Sequence, residues 1–140
     1  MPSDAGQRPE ALLEAFDDLK RRFATATDFG AFWDYFVDAW ASRPGFMDMG
    51  APAYVEDMES LIQQVANQMT GSDPARVANT RLIKIPEAGL VHGSCLVDGN
   101  LSVVIYFEDL EMGLFVLLRN SGKTSYARFT LRGKTKRRSS

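Results

Sequence analysis

The chain has 140 residues, 45% apolar and 24% charged, with a formal net charge of −2. That is enough for one domain with a real core, and an acidic balance is not the footprint of a general nucleic-acid binder. Its single cysteine, Cys95, excludes an internal disulfide and fits a reducing compartment, and no apolar run approaches the roughly 20 residues of a membrane helix. The opening MPSDAGQRPE lacks a basic cluster followed by an apolar run, so the expected location is cytoplasmic, without membrane association. Charge is uneven along the chain: residues 1–75 carry 13 acids and 5 bases, and residues 76–140 carry 5 acids and 11 bases. Such asymmetry marks either an interaction surface or two layers of one fold that attract each other.

Three helices are expected first, over about residues 9–24, 28–42 and 52–70. Pro9 suits a first helical turn, and Leu12, Phe16, Leu19 and Phe23 follow at helical spacing. Asp17 and Arg21, and Asp18 and Arg22, are opposite charges four apart on the other side, which supports a solvated face. Asp28 is the expected N-cap of the second helix, whose Phe29, Phe32, Trp33, Phe36, Val37 and Trp40 form one broad apolar face. Asp34 and Asp38 lie on its far side without a third ligand for a metal. Pro44 and Gly45 end that helix, and the linker carries Phe46, Met47 and Met49. The third helix follows Pro52, with Tyr54, Met58, Leu61, Ile62, Val65 and Met69 on one side and Gly71 as its stop.

The period then changes to that of strands, over about residues 80–132. Asp98-Gly99 between two apolar runs is a strong hairpin signal, pairing Leu96 with Leu101, Ser94 with Val103 and His92 with Ile105. RLIKI, LFVLL and SYARFTL complete five strands, most simply a meander. Helices first and strands later predict an α+β domain over residues 1–133, three N-terminal helices packed on an antiparallel sheet. Residues 134–140 read as a basic flexible tail. The alternative is a curved-sheet, cone-like α+β barrel enclosing a pocket.

Candidate chemistry is sparse. Gly122-Lys123-Thr124 has the end of a phosphate loop, but Leu117 stands where that loop needs its first glycine, and a strand-like run follows it. The expectation is a hairpin turn on Ser121-Gly122, with Arg119 facing Thr124, Leu117 facing Tyr126 and Phe115 facing Arg128. His92 and Cys95 are three apart in a strand and so point to opposite faces, which is unsuitable for a nucleophile–base pair or a metal site. Glu108, Asp109 and Glu111 read as a solvated turn. The tail from Arg132 to Arg138 is basic but has no aromatic residue for base stacking, so nucleic acid is not an expected partner.

One anomaly remains. The strands are apolar on both faces, whereas a sheet covered on one side alternates apolar and polar. One face would hold Leu90, Leu96, Leu101, Val103, Ile105, Phe107, Leu114, Val116, Leu118, Phe129 and Leu131. The other would hold Val91, Val104, Tyr106, Phe115, Leu117 and Tyr126, with Arg119 and Arg128 toward one end, and Val104, Tyr106, Phe115, Leu117 and Tyr126 form the expected interface. The expectation is a small binding or adaptor protein without catalytic residues, cofactor or metal, acting through that face as a homodimer or toward another protein. The alternative is a small-molecule binder or enzyme with a pocket between helices and sheet, for which His92, Arg119 and Arg128 supply polar groups.

Overall fold

The computed structural model describes residues 14–42, 50–53 and 56–130. The expected helix start at Pro9, Leu12, the stop at Pro44 and Gly45, the linker residues Phe46, Met47 and Met49, Tyr54, Leu131 and the tail lie outside them. Two compact units can be told apart, Met1–Met49 with Pro86–Ala88, and Gly50–Ile85 with Gly89–Ser140.

The first unit is helical and held by aromatic residues. Helix α1, residues 14–24, buries Phe16, Leu19 and Phe23, three of the four positions its spacing predicts. Helix α2, Phe29–Phe36, begins at Asp28, whose carboxylate accepts from the Ala31 N–H at 3.1 Å. The expected cap is therefore in place, and it satisfies one N–H that the helix leaves orphaned. The helix widens into a π-helical turn over Val37–Ala41, which carries the buried Trp40. Phe16 stacks on Trp40 at 4.5 Å between centroids, and Phe23 meets Phe32 at 5.4 Å. On the solvated side Asp18 takes both arginines, Arg21 at 2.7 Å and Arg22 at 2.8 Å.

The second unit is α+β. Strand β1, Ala51–Ala53, precedes helix α3, Glu56–Thr70, and five strands follow: β2 Val77–Ile85, β3 Leu90–Val97, β4 Asn100–Phe107, β5 Met112–Leu118 and β6 Thr124–Thr130. They form one open antiparallel sheet in the order β1-β2-β3-β4-β5-β6. The sheet is thus a meander with six strands, not a closed cone. The extra strand, β1, contains Pro52, read from sequence as the entry to the third helix. A proline is tolerated in an edge strand, where its missing N–H breaks no ladder.

Helix α3 lays Met58, Leu61, Ile62, Val65 and Ala66 on one face of the sheet, in a single core with Val91, Val104, Tyr106, Phe115, Leu117 and Phe129. Each Met, Leu, Ile, Val or Phe side chain among these contributes about 1.5–3 kcal/mol when fully buried. Small residues lie between the large ones on that face: Gly93, Ser102, Gly113, Ser125 and Ala127. They leave room for the helix. Gly113 admits no side chain, since a Cβ there would meet the Ile105 carbonyl and the Phe129 ring. Phe129 instead covers the glycine and stacks on Tyr106, with centroids 6.0 Å apart and planes 7° from parallel. Gly71, at φ 75°, ends α3 as expected. The Arg119 guanidinium, coming from the β5–β6 turn, donates to the Met69 carbonyl of the last helical turn at 3.0 Å.

The β3–β4 register is the expected one at every quoted pair. Asp98 and Gly99 both have positive φ, 50° and 81°, as a type I′ turn requires. The β5–β6 register differs from expectation by one residue. Leu118 faces Thr124, Leu117 faces Ser125 and Phe115 faces Ala127. The loop closes between Arg119 and Lys123 rather than as a two-residue turn, with the Arg119 N–H donating to the Lys123 carbonyl at 2.9 Å. A slip of one residue turns every side chain of a strand over. Phe129 therefore joins the α3 face, and Tyr126 leaves it.

Candidate functional site

Four of the five residues expected at an interface are the seat of α3. Val104, Phe115 and Leu117 are 0% exposed and Tyr106 is 5% exposed. Tyr126 pairs with Val116 on the opposite face. The four have no surface to offer a partner, and the sheet surface left open is on the other side.

On that opposite face the pairing arranges side chains in rows across the strands. Ala78, Leu96, Leu101, Leu118 and Thr124 make the row nearest the β3–β4 turn, and Arg81, Ser94, Val103, Val116 and Tyr126 the next. The following row, Ile83, His92, Ile105 and Leu114, is buried. Exposure returns toward the turn: Leu96, Val103 and Leu118 are partly exposed, and Leu101 is 46% exposed. The centre of this open end is thus leucine and valine from β3, β4 and β5. Its borders are charged or polar. Arg81 on β2 is exposed, as is Arg76 just ahead of that strand, and Tyr126 and Arg128 stand on β6.

The open end is held rigid by polar links between loops that are distant in sequence. The Asp98 carboxylate accepts from the Arg76 N–H at 2.8 Å and from the Ser72 hydroxyl at 3.1 Å. The Asp98 N–H donates back to the Arg76 carbonyl at 2.8 Å. Asn100 accepts from the Asn120 N–H at 2.8 Å, joining the two hairpin turns. Gln63 and Asn67 of α3 bond the Ala75 carbonyl and N–H at 2.8 and 2.6 Å. A cleft of ≈ 680 Å³ opens beside them, lined by Ser72, Arg76, Ala78, Leu96 and Asp98 among others. Ala78 and Leu96 belong to both cleft and leucine row. Sequence reasoning missed this assembly because its links join residues 8 to 26 apart in different turns and in α3; only the Asp-Gly turn was visible.

The other candidates are engaged elsewhere or isolated. His92 is buried, and its Nδ1 donates to the Val104 carbonyl at 3.1 Å. Burial pulls its pKa down to about 4, so the ring is neutral at pH 7. The Cys95 thiol is buried on the α3 side and pushed up to about 11 by desolvation, which leaves almost no nucleophilic thiolate. His92 and Arg128 share a row but are separated by Ile105 and Leu114, and Arg119 is bound to the end of α3. The three polar groups therefore do not converge on one pocket. Lys123 lies in a hairpin turn, not ahead of a helix. Of the acidic turn, Glu108 pairs with Lys84 at 2.9 Å. In the helical unit a cleft of ≈ 360 Å³ includes Arg22, Asp28 and Tyr35. There Arg22 stacks 4.4 Å from the Tyr35 ring centroid, and its hydrogen bond holds Asp18 below the usual carboxylate range. No group of three or more metal-ligating side chains occurs among the described residues.

Comparison with protein-family models, with curated proteins and with solved structures finds no match to this chain.

Proposed function

We propose that the protein is a small binding or adaptor protein that works through the open end of the sheet face opposite α3. The observation that carries this reading is the leucine row itself. Leu96, Leu101 and Leu118 stand side by side on three adjacent strands, and Leu101 is 46% exposed. Isolated surface leucines need no explanation, whereas a contiguous apolar row rimmed by polar residues marks an interaction surface. The links through Asp98 and Asn100 favour the same reading. A surface ordered before binding loses less entropy when it docks.

An apolar anion such as 8-anilinonaphthalene-1-sulfonate tests the surface directly. The folded protein should bind the dye at one site and enhance its fluorescence. Leu101→Ser together with Leu118→Ser should remove the enhancement at unchanged melting temperature. No enhancement, or one that survives both substitutions, counts against the surface.

A further inference from the structure

We infer that the cleft beside the leucine row binds a small organic carboxylate, with a compact apolar body against Pro74, Ala78 and Leu96 and its carboxylate on the Arg76 guanidinium. The inference rests on the binding reading above, since cleft and row share Ala78 and Leu96, and it adds the class of ligand.

Size and shape point to a small molecule. The cleft, ≈ 680 Å³, falls within the usual range of ligand sites, about 300–1,000 Å³. Its lining combines apolar Pro74, Ala78 and Leu96 with polar Ser72, Arg76 and Asp98. Ligand sites have this make-up, an apolar wall with a few placed polar groups. A long acyl chain laid across one sheet face would keep its outer side in water, whereas a compact body in the concavity is covered on more than one side.

Charge selects the head group. Asp98, the carboxylate of the cleft, is already committed to the Arg76 N–H at 2.8 Å and the Ser72 hydroxyl at 3.1 Å. The Asp98 N–H in turn donates to the Arg76 carbonyl at 2.8 Å. The Arg76 backbone is thus pinned at the cleft, while its exposed guanidinium has no hydrogen bond or ion pair among the described residues. Arg81 stands farther along β2, opposite Ser94, exposed and likewise without a partner among them. Arg76 is level with Asp98 and Arg81 with Ser94, a separation along the sheet of about 13 Å. An extended arginine side chain covers about half of that distance, so both guanidiniums can reach the Ala78–Leu96 pair between them. Asp73, exposed in the preceding turn, does not line the cleft. Two guanidiniums against the Asp98 carboxylate leave a net positive charge, which suits a singly charged anion. The planar fork of an arginine takes a carboxylate through two parallel hydrogen bonds.

The probe is naphthoate, titrated calorimetrically into the full chain. Naphthalenemethanol supplies the same body without charge, and naphthylmethylammonium supplies the opposite charge. Naphthoate should bind at one site with a Kd on the order of 100 µM, weakening as salt is raised. The alcohol should bind about tenfold more weakly, and the ammonium should not bind. Arg76→Gln keeps the backbone bonds to Asp98 and should weaken naphthoate about tenfold at unchanged melting temperature. Ala78→Trp fills the cleft from an exposed position and should abolish naphthoate binding. Dye enhancement that depends on Leu101 and Leu118, with no naphthoate binding or with equal affinity for naphthoate and the alcohol, overturns the carboxylate site and leaves the leucine row standing. Naphthoate binding that survives both Arg76→Gln and Ala78→Trp also overturns the site. Naphthoate binding that depends on Arg76, without dye enhancement, supports the cleft and overturns the leucine row. Binding of neither compound overturns both. Light scattering at twice the monomer mass, reverting with Leu101→Lys and accompanied by no naphthoate binding, assigns the surface to a second copy and overturns the inference.

Discussion

Leu96 and Leu101 face each other across the β3–β4 hairpin, on the side away from α3, and Leu101 keeps 46% of its surface exposed. Across the next strand pair, Leu117 faces Ser102 on the α3 side and is 0% exposed. Both leucines come from runs equally apolar in sequence, yet they differ in role. Leu101→Lys should change stability by no more than about 0.5 kcal/mol, as surface substitutions do. Leu117→Lys should cost several kcal/mol, because it buries an unpaired charge beneath α3. Chemical denaturation of both variants checks this. Equal losses would show that Leu101 is covered.

Ser102 is 0% exposed, and its hydroxyl has no hydrogen-bond partner among the described residues. A buried hydroxyl without a partner retains its desolvation cost. Ser102→Ala should therefore be neutral or stabilising by up to about 1 kcal/mol. A loss above that range in urea denaturation would mean that the hydroxyl is bonded.

His92 gives the protein a defined acid sensitivity. Its folded pKa, about 4, lies below the ordinary imidazole value of 6.5 because burial disfavours the imidazolium. Between those values the unfolded chain binds more protons, so stability rises with pH. The contribution is fully present above pH 6.5 and is lost as pH falls toward 4, about 3 kcal/mol in all. His92→Asn can keep a donor near the Val104 carbonyl and should flatten this part of the stability–pH curve. An unchanged slope would show that other groups set it.

Cys95 is 1% exposed and its thiol pKa is about 11. Ellman's reagent should leave the native thiol unmodified over minutes at pH 8 (~8 being the usual assay pH, well below the thiol pKa) and react fully in denaturant. Rapid native modification would show that the α3 side opens readily.

Much of this fold was legible because local signals agreed with it. Asp98-Gly99 set the central hairpin and its register, Asp28 capped α2, Gly71 ended α3, and the aromatic spacing of α1 and α2 marked their buried sides. The β5–β6 loop was not legible to one residue. Ser121-Gly122 satisfies a two-residue turn as well as it does the observed loop closed by Arg119 and Lys123. That single residue decided whether Phe129 or Tyr126 sat under α3. Which of two apolar faces a helix covers depends on small residues such as Gly93 and Gly113, whose meaning appears only once the strands are paired. The sequence thus shows an excess of apolar strand residues, but not that α3 covers Val104, Tyr106, Phe115 and Leu117.

The most direct measurement is methyl NMR of the full chain, labelled at leucine and valine, titrated with 8-anilinonaphthalene-1-sulfonate. Shifts should concentrate at Leu96, Leu101, Val103 and Leu118, and spare Val104 and Leu117 beneath α3. Shifts confined to the α3 side, or none at saturating dye, would contradict the open leucine row as the working surface.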